Sequence, residues 1–184
     1  RSFQPVRDDF RKLYVGIYLN ELVETLVAEA HPERKIFRLL IDALKALEAL
    51  DELKTLIRLS EMQFLCLSGY TPQLSYCALC KGPPGTGRVG FSFERKGIVC
   101  EPCSFRAQPG VRFKAGILSY LKKLKTLDIK HAGRLKFPKG TEGEIEKVTH
   151  RLILSHTGRE LKSYPFIKNM AQIAKDPASW KNEL

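Results

Sequence analysis

The stretch CALCKGPPGTGRVGF, residues 77–91, admits two incompatible readings. From Gly82 it runs Gly-Pro-Pro-Gly-Thr-Gly-Arg-Val, close to the phosphate loop of an ATPase. It begins, however, with Cys-x-x-Cys, and a second Cys-x-x-Cys follows at Cys100 and Cys103. A phosphate loop needs Gly-x-x-x-x-Gly-Lys-Ser/Thr between a strand and a helix. Gly82 and Gly87 match, but Arg88 stands in for the lysine and Val89 for the hydroxyl residue that would hold Mg²⁺. Valine cannot coordinate a cation. The residues that follow read as a strand, not as a helix N-terminus able to bind phosphate. The glycines and prolines are better read as turn residues at the tip of a loop joining the two cysteine pairs.

The pairs are separated by nineteen residues. Each can turn two sulfurs toward one point, and a hairpin between them would complete a tetrahedron of thiolates about 2.3 Å from Zn²⁺. Cys77, Cys80, Cys100 and Cys103 are therefore the expected ligands of one structural zinc per chain. Four thiolates close the coordination sphere and leave no position for a reacting water, which disfavours a catalytic zinc. A thioredoxin-like redox pair lacks its βαβ context. Cys66 lies in the apolar run FLCL and reads as an inert buried thiol. His31, His131, His150 and His156 show no ligand spacing relative to the cysteines. No nucleophile elbow, His-Glu-x-x-His or paired-carboxylate motif is present, so nothing calls for an enzyme.

Around this loop the chain is helical in pattern. Residues 8–30 carry acids at Asp8 and Asp9 and apolar positions at Phe10, Leu13, Tyr14, Ile17, Tyr18 and Leu22. A second helix is expected from Pro32 to about Leu50, striped by Ile36, Phe37, Leu40, Ala43, Leu44 and Leu47. A third, capped by Asp51, should reach about Leu67, with Gly69 at its C-terminal stop. Val89–Phe93 and Gly97–Cys100 read as a short hairpin. Helical pattern returns at Lys114–Lys125, at 142–156 with a Thr141/Glu144 capping box and Gly158 at its end, and at 165–175. The expected fold is mainly α: a helical bundle with an inserted four-cysteine zinc loop containing a short β-hairpin. The expected organisation is 1–69 as the first part of the bundle, 70–109 as the zinc loop, and 110–184 as a second, basic part.

The chain has 184 residues and a net charge of +11. Residues 1–70 hold ten Lys/Arg against eleven acids, while 71–184 hold twenty-one against nine. A neutral part joined to a strongly basic one suits a polyanion or an acidic peptide. The density peaks at 114–139, with eight Lys/Arg against Asp128 alone. Lys114, Lys122, Lys123, Lys125, Lys130, Arg134 and Lys136 are candidate contacts, together with Arg159 and Lys162 farther on. Clustered cations would neutralise phosphates and give salt-sensitive, sequence-independent binding. Only Tyr120 and Phe137 lie close enough in sequence to stack on bases, which points to backbone contact. The first twenty residues lack an apolar signal core, and no run long enough to span a membrane occurs, so a cytoplasmic protein is expected. The chain starts at Arg1, not at Met, and reads as a piece of a longer protein.

Four segments carry a family resemblance: YLNELVETL (18–26), GYTPQLSYCALC (69–80), FSFERKGIVCEPC (91–103) and HTGRELKSYPFI (156–167). In that order and spacing the chain resembles the RecO family of bacterial DNA repair and recombination mediators. The resemblance implies a non-enzymatic protein that promotes RecA loading onto single strands covered by single-strand-binding protein. Its implied partners are single- and double-stranded DNA, RecR, the acidic C-terminal tail of single-strand-binding protein and, indirectly, RecA, with a place at the nucleoid during repair. It also implies an N-terminal OB-fold that would precede Arg1, and it assigns the tail's docking site to the helical domain. A module that binds acidic tails without touching DNA is the alternative. One departure is RKGIVC, where the family often has two glycines before the third cysteine and this chain has Lys96.

Overall fold

A computed structural model describes residues 3–27 and 34–173. The helix expected over 8–30 is α2 (Phe10–Leu26), residues 28–30 lying outside the described ones, and a short α1 (Gln4–Asp8) precedes it. Asp9 separates them in an extended conformation, its carboxylate accepting from the Arg11 and Lys12 N–H groups. Pro32, the expected start of the second helix, lies outside the described residues. α3 (Arg34–Ala49) and α4 (Leu53–Leu67) follow. Glu52, not Asp51, caps α4 by accepting from the Lys54 N–H. Gly69, at φ 85°, lets the chain reverse, and the Tyr70 N–H closes back onto the Leu65 carbonyl.

α4 is the axis of the bundle. It packs against α2 and α3, and against two later helices, α6 (Ile117–Thr126) and α7 (Thr141–Thr157). Eleven of its fifteen residues are buried, so it is wrapped on nearly every side. α8 (Tyr164–Ile173) returns to lie on α2, and a 3₁₀ turn at Ile129–Arg134 packs on α3 and α4 within the expected basic connector. Gly158 ends α7 at φ 69°, as expected. The capping box does not form: Gly140, at φ 82°, is the N-cap, and Thr141 is already the first helical residue.

The loop between α4 and α6 holds more structure than a hairpin. β1 (Arg88–Ser92), β2 (Gly97–Val99) and β3 (Val111–Lys114) form an antiparallel sheet in the order β2-β1-β3, and α5 (Glu101–Ala107) lies between β2 and β3. α5 is only seven residues long, too short to show a helical period, and it starts on Pro102 in its first turn. Lys114, expected to open a helix, instead ends β3, where Val111 and Phe113 alternate with Arg112 and Lys114.

The register assigns the two faces of the sheet. Val89 pairs with Phe113, and Phe91 with both Ile98 and Val111. Val89, Phe91, Ile98 and Phe113 are buried members of the main hydrophobic core, which also contains the helices. On the opposite face Gly90 pairs with Val99 and with Arg112. Val99 forms a separate small cluster with Cys77 and Cys100, against which Cys103 and Ala107 pack. The cysteines and α5 therefore cover the outer face around Val99 and Gly90, and Arg88, Arg112 and Lys114 stay exposed on it. Gly90 is required there: a Cβ would stand 2.5 Å from the Pro109 ring.

The bundle core also holds charge, which the sequence pattern did not suggest. Arg58 is 2% exposed and Glu61 fully buried. They pair at 3.0 Å, the Tyr18 hydroxyl donates to Glu61 at 2.6 Å, and Arg58 also reaches the Thr149 hydroxyl at 3.3 Å. This network ties α2, α4 and α7 together in one register. Burial pushes the Glu61 carboxyl up, against the opposing pull of Arg58.

Candidate functional site

Two turns and a strand build the cysteine cluster. After Cys77 the chain curls so that the Cys77 N–H meets the Gly82 carbonyl at 2.9 Å and the Lys81 N–H meets the Cys77 carbonyl at 3.0 Å. Lys81 takes φ 63° to close the turn. The Ala78 N–H bonds to Ile98 of β2, which fixes this turn against the strand leading to Cys100. The second turn is the start of α5, where the Cys103 and Ser104 N–H groups reach the Cys100 carbonyl. The four Sγ atoms lie within 4.8 Å of one another. Cys80 Sγ and Cys100 Sγ are 3.8 Å apart, the edge length of a tetrahedron built with metal–sulfur bonds of about 2.3 Å.

The four thiols compete for charge. Burial opposes ionisation of Cys77, but backbone N–H groups of Cys100, Cys80 and Leu79 outweigh it and bring its thiol down to about 6. The Cys100 N–H approaches Cys77 Sγ at 3.4 Å. Cys103, beside Cys100, is pushed up to about 12, and burial raises Cys100. Cys77 ionises readily, while Cys100 and Cys103 resist. A divalent cation at the centre reverses that order, because it stabilises all four thiolates at once. The donor set, the spacing and the N–H···S contact fit a closed four-thiolate metal site.

The tip of the loop does not form a phosphate cradle. Arg88 begins β1, and the Glu101 carboxylate lies so close to Gly87 that a Cβ there would meet it at 3.0 Å. An anion in that position keeps phosphate away from the backbone N–H groups of the loop tip.

A second feature lies across the bundle. A groove of about 880 Å³ runs between α2, Leu44 of α3 and the segment from Arg159 to Phe166. Leu13, Tyr14, Ile17 and Phe166 form its apolar wall, with Tyr14 stacked on Phe166 at 4.3 Å. Parts of two stripes expected to face the core face outward instead: Phe10 and Ile17 of α2 are 46% and 47% exposed and Phe37 of α3 65%, and of these Ile17 lines the groove. Arg159 and Lys162 stand on the rim, with Glu24 and Glu160. Glu21 is already engaged, since it accepts from the Lys162 and Ser163 N–H groups at 2.8 Å and from the Ser163 hydroxyl. Those contacts clasp α8 to α2.

The nine candidate cations therefore do not form one patch. Arg159 and Lys162 belong to the groove beside α2. Lys122 and Lys123 are exposed on α6, with Lys130, Arg134 and Lys136 exposed on the segment that follows, and α6 packs on α4, α7 and β3 instead of on α2. Lys125 donates to the Pro72 carbonyl at 3.1 Å and pins the entry to the cysteine loop. Lys114 lies in β3 beside Arg88 and Arg112, two cations that the sequence reading passed over. The Val-Arg-Phe-Lys alternation at 111–114 was the available signal.

The family model described as Recombination protein O C terminal matches residues 7–165. The chain belongs to this family. Curated RecO relatives agree. The chain is 32% identical over 172 residues to the DNA repair protein RecO of Pelotomaculum thermopropionicum, covering 93% of this chain and 66% of that protein. It is 31% identical over 175 residues to the protein of the same name from Myxococcus xanthus, covering 95% and 68%. To that of Desulfatibacillum aliphaticivorans it is 31% identical over 175 residues, covering 92% and 67%. The chain thus spans about two thirds of the length of these RecO proteins. Among the described residues no helix is long and apolar enough to cross a membrane.

Proposed function

We propose that the chain supplies the helical, zinc-stabilised part of a RecO-type recombination mediator that promotes RecA loading onto covered single strands, working with RecR and without catalysis of its own. Zn²⁺ held by Cys77, Cys80, Cys100 and Cys103 fixes the loop, and the groove between α2 and α8 takes the acidic tail of single-strand-binding protein. The observation that carries this reading is the groove: an apolar wall of Tyr14, Ile17 and Phe166 with Arg159 and Lys162 beside it, where Glu21 is held by backbone N–H groups and Glu160 by His150, which leaves Glu24 as the open carboxylate. An acidic peptide ending in an aromatic residue needs that combination, a pocket for the ring and cations for the carboxylates.

The test is a calorimetric titration with an acidic, Phe-ended peptide. Charge reversal at Arg159 and Lys162 should weaken binding at least about tenfold, and Ile17→Glu should abolish it. Unchanged affinity in both variants would remove the groove from the reading. The exposed lysines of α6 favour a second contact, with DNA phosphates. Binding should then fall steeply with salt and weaken on reversal of Lys122 and Lys123.

A further inference from the structure

The outer face of the small sheet carries cations where a fold alone would not put them. Arg88 of β1 lies directly opposite Lys114 of β3, and Arg112 lies opposite Gly90, two residues from each. Side chains at such positions share one face within about 8 Å. All three are exposed, and none forms a salt bridge among the described residues. Two carboxylates stand nearby without pairing with these side chains: Glu144 accepts from the Lys114 backbone N–H at 3.4 Å, and Glu101 sits over Gly87, next to Arg88. Like charges directly opposite on a sheet destabilise it. An anionic partner would remove that penalty.

The same side of the sheet carries an exposed aromatic. α5 lies on the outer face, because Cys103 and Ala107 pack on the cluster that includes Val99. Its other side turns to solvent, and there Phe105 is 80% exposed, the most exposed large apolar side chain among the described residues, followed by Arg106. A phenyl ring in water on the same side of the sheet as a group of cations fits a base that can stack and a backbone that carries phosphates. Bases inside a duplex do not offer their faces, so the matching partner is single-stranded.

We infer that the outer face of the cysteine module is a single-stranded nucleic-acid contact, with Arg88, Arg112 and Lys114 on the phosphates and Phe105 as a stacking platform. The inference rests on the reading of the chain as a DNA-contacting mediator, and it adds to the phosphate contact of α6 a site on the sheet where a single strand can stack.

The test measures fluorescence anisotropy of a labelled oligothymidylate with the zinc-loaded chain over a range of salt, and repeats it with a duplex of equal length. Phe105→Ala should weaken single-strand binding about 5- to 100-fold without altering the salt slope or duplex binding. Phe105→Trp should restore it. Arg88→Ala with Arg112→Ala should lower the slope of log affinity against log salt by about 0.7 for each phosphate no longer neutralised. Equal zinc content and equal circular dichroism show that the variants are folded. Parent-like binding in both sets of variants overturns the inference, and if reversal of Lys122 and Lys123 alone abolishes binding, α6 is the DNA surface. Absence of single-strand binding by the parent chain overturns it too. The acidic-peptide titration reads the groove separately from either result.

Discussion

Lys96 sits in the turn between β1 and β2 at φ 49°, a left-handed conformation that costs a non-glycine residue about 1–2 kcal/mol. The turn is closed by the Lys96 N–H bonding to the Phe93 carbonyl at 3.1 Å. The side chain gives something back: its ammonium lies 5.0 Å above the Tyr70 ring, an interaction of about 0.5–1 kcal/mol. Lys96→Ala keeps the strain and removes the cation from the ring, while Lys96→Gly removes both. The glycine variant should therefore be more stable than the alanine variant by about 1 kcal/mol, with the parent between them. Urea unfolding of the three proteins checks this, and an alanine variant as stable as the glycine variant would contradict it. The departure from a glycine pair before Cys100 was legible in the sequence. Its location at a left-handed turn was not, because φ at one residue depends on how two strands meet.

At the scale of elements, long-range clasps were the least legible feature. α3, α4, α6 and α7 announce themselves by apolar spacing, and their buried faces follow it. The docking of α8 on α2 has no such signal. It depends on Glu21, whose partners are more than 140 residues away in the chain. Arg58 and Glu61 likewise read as surface charges until α2 and α7 enclose them. Glu21 gives the clasp a pH dependence. Burial alone would raise its carboxyl, but the Ser163 hydroxyl and the Ser163 and Lys162 N–H groups outweigh it and hold it below the usual value of 4.5. A carboxyl lowered in the folded state stabilises that state above its unfolded pKa, and the contribution is lost as pH falls through the folded value. The clasp should therefore hold at neutral pH and release in acid. Glu21→Gln should destabilise the protein by about 1–2 kcal/mol at pH 7, and the gap to the parent should close below pH 4, which is about the unfolded range. A gap that widens in acid would refute the assignment.

For the whole molecule, the question is how far the cysteine module would depend on the proposed zinc. The two Cys-x-x-Cys turns were the most legible feature of the sequence, since ligand spacing is local. Less legible was that the sheet between them joins two cores. Its inner face, with Val89, Phe91, Ile98 and Phe113, belongs to the bundle, while its outer face holds the small cluster around Cys77, Val99 and Cys100. The outer cluster is too small to hold its turns without an ion, whereas the helices bury a full core without it. The cysteine turns and α5 should therefore open as a unit of their own, while the sheet stays with the bundle. Chelation should release one zinc per chain and expose the amides of the cysteine turns and α5 to rapid hydrogen exchange. Amides of α4, the axis of the bundle, should keep their protection, and the helical circular dichroism should change little. Cys80→Ser should reproduce this state at neutral pH without a chelator. It should also lose the affinity that Phe105 confers on a single strand, because α5 is held by the ion, while acidic-peptide binding in the groove across the bundle persists. Collapse of the α4 amides together with the module would show one cooperative fold with the metal at its base.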